Sequence, residues 1–350
     1  MQSPSPSLGK ITLILSLGIL AIATSPILIR LAMATIDPAA IGSAAINPSA
    51  INPSAINPST INPSAINPSA IASPPSKTAL AFVMAASRLL IVSALLAPNW
   101  RTLKPQNYPV PLRWLTIGAG LCLALHFATW ISSLAYTSIA ASTVIVTTNP
   151  LWVALLSRLW LREHLTRLTW LGMGLVLAGS LAIGLADVAP LGSGAAPTLA
   201  PQPLLGNVLA LIGSWTISLY LVLGRQVQAQ GISTAHYTTA VYAVAALGLL
   251  PLPWLQGTGY GGYPAPVYGY ILLMALLPQL IGHTSLNWAV RWLSPTLVTL
   301  VVLGEPIGAS LLGYWLLGEV PSQTTAIGGV VVLSGIAIAA WGQRNPATAG

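Results

Sequence analysis

The sequence predicts an all-α polytopic membrane protein, with ten transmembrane helices arranged as two inverted five-helix repeats. Three observations lead there. Charged residues make up 5% of the 350-residue chain and hydrophobic ones 55%, with a mean hydropathy of +0.78. Ten apolar runs approach the roughly 20 residues that a bilayer-crossing helix needs. A pattern of proline, glutamate and glycine recurs at one fixed offset along the chain. A soluble domain carries about 25% charged residues, so this chain has too few to cover a water-facing surface.

The runs fall at 11–34, 78–97, 114–135, 139–160, 168–187, 204–223, 235–255, 267–290, 293–317 and 322–342. Hydropathy barely dips at 135/139 and 290/293, where the boundaries rest on the turn-like residues Thr137-Ser138 and Ser294-Pro295. The first run exceeds the apolar core of about 7–15 residues in a signal peptide, and only Lys10 precedes it, so it reads as a retained span.

Lysines and arginines in the short loops set the orientation. With the N-terminus inside, Lys10, Arg101, Lys104, Arg113, Arg158, Arg162, Arg167, Arg225, Arg291 and Arg344 lie on the inner side, and only Lys77 lies clearly outside. This bias explains the net charge of +8 without nucleic acid. It places both termini in the cytoplasm, with the chain in the cell inner or plasma membrane. The expected division is a cytoplasmic N-terminus (1–10), a first repeat (11–187) carrying an external loop (36–77), an external linker (188–203), a second repeat (204–342) and a cytoplasmic tail (343–350). The single cysteine, Cys122, lies in an apolar run and allows no internal disulfide.

The external loop contains "INPSAINPSAINPSTINPSAINPSA" at Ile46–Ala70. Proline at every fifth position removes backbone donors and disfavours helix, and Asn-Pro-Ser is turn chemistry. With Pro in the middle position it is not a glycosylation acceptor. One Ile per unit offers little core to bury, so the tract reads as a spacer. The competing reading is a stacked turn structure that binds an external partner.

The second repeat is more informative. At an offset of 156 residues, Pro150 meets Pro306, Glu163 meets Glu319, Gly172 meets Gly328 and Gly179 meets Gly335; His126 meets His283 with a one-residue shift. Each half holds five spans, an odd number, so the second half starts on the opposite side of the membrane. Inverted repeats of this kind characterise secondary transporters, with the substrate site between the halves and helix breaks at corresponding positions. Pro150 and Pro306 free the carbonyls of Val146 and Val302. A freed carbonyl at membrane depth needs buried protein or a water-filled cavity, so both prolines read as helix breaks lining a site, or else as kinks that shape the bundle.

The segments "SPILIRLA", "AASRLLI", "LHFATWISSLAYTSIAASTVIVTTNPLWVALLSRLWLRE" and "PQLIGHTSLNWAVRWLSPTLVTLVVLGEPIGASLLGYWLLGE" resemble the drug/metabolite transporter superfamily, of the EamA type. The resemblance implies two inverted five-span repeats that move small metabolites, often outward, by alternating access. The long insertion between spans 1 and 2 departs from the short loop usual there.

Polar groups at membrane depth are costly and usually face the bundle interior. The candidates for a substrate or ion pathway are Glu305, Arg88, His126, His283, Asn149, Asn287 and Trp130. Arg88 lies roughly 16 Å into the bilayer by helical rise from Lys77. Each also has a structural reading: a bond between helices for Arg88 and Glu305, packing hydrogen bonds for the histidines. Arg30, nearer the outer end, can snorkel. Glu163 and Glu319 end their spans at the interfaces. Trp152, Tyr220 and Trp288 suit packing or a belt as well as a pocket. Gly304 and Gly308 form a GxxxG pair that permits close helix approach. The histidines lack metal spacing, and no cofactor is implied.

The function expected is secondary transport of small metabolites, export of amino-acid-like compounds above all. Its partners are a small-molecule substrate and the lipid bilayer, with proton coupling and a homodimer as further expectations. The alternatives are an intramembrane enzyme using His126, His283 and Glu305, and a passive channel or structural membrane protein.

Overall fold

The computed structural model describes residues 6–36, 77–103, 108–136, 142, 145–146, 148–162, 165–186, 202–317 and 323–344. Among these the chain is helical, without strands. Apolar runs become helices because hydrocarbon offers no partner to backbone N–H and C=O groups, and a helix satisfies them internally. The elements are α1 (Leu8–Ile36), α2 (Lys77–Leu95), α3 (Val110–Tyr136), α4 (Asn149–Leu156, followed by a π turn at Ser157–Leu161), α5 (Arg167–Ala186) and α6 (Pro203–Ala229). There follow α7 (Thr234–Leu249), α8 (Ala265–Val290), α9 (Pro295–Val302), α10 (Glu305–Leu317) and α11 (Gln323–Arg344). Among the described residues, six helices are long and apolar enough to cross a membrane, and 167–179 and 326–342 are shorter apolar helices.

Local chemistry sets several ends. Pro98 opens the 3-10 turn that follows α2. Gly231, with φ of +92°, ends the chain leaving α6, a conformation that costs glycine little. The side chains of Ser233 and Ser294 cap α7 and α9, each accepting a backbone N–H at 3.2 Å. The turn expected at Ser294-Pro295 is therefore present.

The bundle is apolar outside, and its largely apolar core also holds polar groups. Leu17, Leu121, Leu171, Trp315 and Val330 are exposed, while Arg88, His126, Ser214, Gln279, Asn287 and Thr299 are buried. Lipid permits this arrangement, because the outer face needs no hydration and buried polar groups can pair.

The tightest crossing joins α5 to α11. A Cβ on Gly335 would lie 2.7 Å from the Gly172 carbonyl oxygen, and one on Gly179 would lie 2.8 Å from the Gly328 carbonyl oxygen. The same reciprocity holds for Val176 with Gly335 and Val332 with Gly179. Rising numbers on one helix meet falling numbers on the other, so the two run antiparallel.

Three expectations need correction. Pro150 and Pro306 do not sit in mid-helix: each lies in the first turn of a new helix, α4 or α10. A missing N–H is tolerated there, since the first four donors of a helix have no internal acceptor anyway. The run 293–317 is accordingly two helices, parted at Leu303-Gly304. The Gly304/Gly308 pair does not act jointly. A Cβ on Gly308 would meet Ala23 of α1 at 2.9 Å, whereas among the described residues one on Gly304 would meet only the Val301 carbonyl of its own chain segment. The boundary at 135/139, the INPSA tract, the linker 188–203, Lys104, Glu163, Glu319, the terminal residues 345–350 and the side chains of Arg30 and Lys77 lie outside the described residues.

Candidate functional site

The helix breaks meet around one interior cavity. Asn149 precedes Pro150, Glu305 precedes Pro306, and both line it, with Val146 and Val302 beside them. Pro26 lies inside α1, so it leaves the Ile22 carbonyl without its helical donor, and Ile22 and Ser25 line the same space. In α8 the segment Ala275–His283 widens into a π-helix around Pro278, which also faces the cavity. About 90 Å³ is open to the centres of water-sized spheres, enough for several waters at roughly 10–15 Å³ each.

The structure brings Arg88, His126, His283, Asn149, Glu305 and Trp130 to the lining of this cavity. Phe127 is their hub. The Arg88 guanidinium carbon lies 3.6 Å from its ring centroid, and the rings of His126 and His283 approach at 4.9 and 5.5 Å. A cation over an aromatic face gains electrostatically from the ring quadrupole. Arg88 is 1% exposed, yet among the described residues its Nε and Nη2 have no hydrogen-bond partner. Trp130 stacks on His126 at 5.7 Å, and its Nε1 is also without a partner among the described residues. The His126 Nδ1–H donates to the Gly213 carbonyl at 2.9 Å, which fixes the tautomer of a neutral ring.

Glu305 opens α10, where the positive end of the helix dipole favours a carboxylate. It forms no ion pair with Arg88 or with any other described residue. Asn149 is buried at the start of α4, and the break beside it is sealed by α6. The Ser214 hydroxyl donates to the Val146 carbonyl at 3.1 Å, and the Ser218 hydroxyl donates to the Asn149 carbonyl at 3.2 Å.

Asn287 stands elsewhere. Its Oδ1 accepts from Tyr220 at 2.7 Å, its Nδ2 donates to the Tyr242 hydroxyl at 3.2 Å, and its carbonyl accepts from Gln228 at 2.8 Å. It is committed to a buried network and does not line the cavity. Pro150 is likewise absent from its lining, where Asn149, the residue just before it, stands instead; the side chain of Pro306 lies outside the described residues. Trp152 and Trp288 pack edge-on or tilted against Trp215 and Trp292. Reasoning from sequence missed Phe127, Ser214, Ser218 and the π segment. Pro278 was a readable signal for the last.

A bundle with an apolar exterior, helix breaks in its interior and uncompensated charges around one cavity has the layout of a membrane transporter. The chain belongs to the EamA-like transporter family, whose pattern matches residues 64–185 and again 204–341. It is 27% identical over 204 residues to the uncharacterized transporter YdfC of Bacillus subtilis, a match covering 57% of this chain and 61% of YdfC. It is 25% identical over 260 residues to the pseudopaline exporter CntI of Pseudomonas aeruginosa, covering 73% and 82% of the two chains. A probable terminal-alkyne amino-acid exporter of Streptantibioticus cattleyicolor is 24% identical over 262 residues, covering 72% and 82%. A solved crystal structure shares the fold at a TM-score of 0.64 and 20% identity, covering 97% of this chain and 99% of that one. The protein is thus a multi-pass membrane transporter of the EamA type.

Proposed function

We propose that the protein exports small amino-acid-like metabolites as a secondary transporter, by alternating access between two inverted five-span repeats. The observation that carries this is the pairing of residues around the cavity. His126 with His283, Val146 with Val302, and Asn149 with Glu305 are repeat mates by sequence offset, and all six line it. An inverted two-fold axis through a site does this, because it brings each half's copy of a residue to the same space. The α5–α11 crossing supports the same axis: Gly172 meets Gly335 and Gly179 meets Gly328, so each glycine touches the mate of the other. The family pattern also matches twice. Export and amino-acid-like cargo draw support from the relatives named as exporters.

In this reading Glu305 takes part in substrate or proton binding, both termini lie in the cytoplasm, and the INPSA tract is an external spacer. The test compares metabolites accumulated by cells with and without the gene, followed by flux of the strongest hit in proteoliposomes under an imposed gradient. Export should lower the hit inside cells and drive it uphill in vesicles. Movement that only runs downhill would point to a passive channel, and no difference in any metabolite would reject the proposal.

A further inference from the structure

Arg88 is a buried cation whose pairing needs are unmet. Among the described residues it has no carboxylate partner and no hydrogen bond. An unpaired polar group in low dielectric is costly. Its unpartnered Nε and Nη2 lie on the same side of the guanidinium, the edge that presents two parallel N–H groups to the two oxygens of a carboxylate. Phe127 covers one face of the group at 3.6 Å, which leaves recognition to that edge. Trp130, which lines the same cavity, adds a third donor without an acceptor among the described residues. The converse holds for Glu305, an acceptor with no donor. Opposite charges that reach one cavity without pairing leave a place for a molecule that carries both and holds them apart.

We propose that Arg88 and Trp130 form a donor pole that receives a substrate carboxylate, and that Glu305 forms an acceptor pole that receives a substrate ammonium. The assignment rests on the transport reading above and adds which groups the substrate must carry and which residues select them. The His126 Nδ1–H is spent on the Gly213 carbonyl, so that ring adds no donor to the first pole, and Asn287 is spent on its tyrosine network.

The experiment measures the melting temperature of the full-length protein in lipid nanodiscs with each standard L-amino acid, and titrates the strongest stabiliser. Its carboxamide, which lacks the anion, and its N-acetyl form, which lacks the cation, should each bind at least about tenfold more weakly, as expected for loss of a charge-assisted hydrogen bond. In Arg88→Gln the amino acid and its carboxamide should bind alike. In Glu305→Gln the amino acid and its N-acetyl form should bind alike. Arg88→Lys keeps a charge without the two-pronged edge and should fall between. Arg88→Gln gives up the contact with the Phe127 ring but no hydrogen bond among the described residues, so it should melt only slightly lower than wild type; a purely structural Arg88 would melt much lower.

An Arg88→Gln protein that still prefers the carboxylate would overturn the donor pole. Equal binding of the N-acetyl form by wild type would overturn the acceptor pole. If no amino acid binds while cells with the gene still export some other metabolite, the pole assignment falls and the transport reading stands. If no metabolite is exported at all, it is the transport reading that fails.

Discussion

The two helix breaks beside the cavity use one local device and give it different chemistry. At each, a short turn leads into X-Pro at the start of a helix, and X faces the cavity. At the first, X is the neutral Asn149, and two serines of α6 fill the carbonyls around it. At the second, X is Glu305, and the α1 surface that α10 approaches at Gly308 is Ala23, which has no donor to give. The first break is closed by borrowed hydroxyls. The second leaves a carboxylate uncommitted. A frame can repeat a backbone device while reserving charge for one copy only.

The sharpest way to break this comparison is Glu305→Gln. It keeps shape and hydrogen-bonding capacity, so inserted protein should stay near the wild-type level while transport falls at least about thirtyfold, in line with the cost of removing a buried charge from its partner. Asn149→Ala, measured in the same flux assay, should lose less. Normal transport with unchanged pH dependence in Glu305→Gln would erase the distinction between the breaks. Next in size is Gly308→Leu, which forces side-chain atoms into Ala23 and should cost at least about 1–3 kcal/mol of stability, read as a lower melting temperature; Gly304→Ala, with no facing helix, should cost less. Ser214→Ala strands the Val146 carbonyl and should cost about 1–3 kcal/mol, with melting affected more than substrate selectivity. The smallest effect belongs outside both breaks. Removing Ile46–Ala70 in whole units changes closure cost by only about 0.6 kcal/mol per doubling of loop length. Insertion and flux should stay close to wild type, and a deletion that inserts yet does not transport would give the tract a part in the mechanism.

What could be read in advance follows from rarity. Ionisable side chains in apolar runs are few, and lipid excludes them, so Arg88, His126, His283 and Glu305 had to turn inward, and they line one cavity. Asn287 shows the limit. It turns inward too, but toward Tyr220 and Tyr242, and a helix that is apolar on all sides carries no pattern to reveal which neighbour a given face meets. Phe127 was hidden for the same reason, since one aromatic among apolar residues looks like packing. Ser214 and Ser218 were hidden because serine in a helix commonly bonds its own preceding turn; Ser218 does so at 2.7 Å to the Ser214 carbonyl while also reaching α4. The prolines announced breaks, but their place in the first turn depends on where the preceding helix stops.

The glycine crossing of α5 with α11 bears on how the protein is made. Gly172 waits for Gly335, and α11 is the last helix among the described residues. Ribosomes elongate at about 5–20 residues/s, so the roughly 160 intervening residues keep α5 without its mate for about 8–30 s. Throughout that interval its bare glycine backbone faces acyl chains or an insertion factor. Chains that stop short of α11 should therefore display that surface permanently, which offers membrane quality control a mark by which to tell unfinished copies from complete ones.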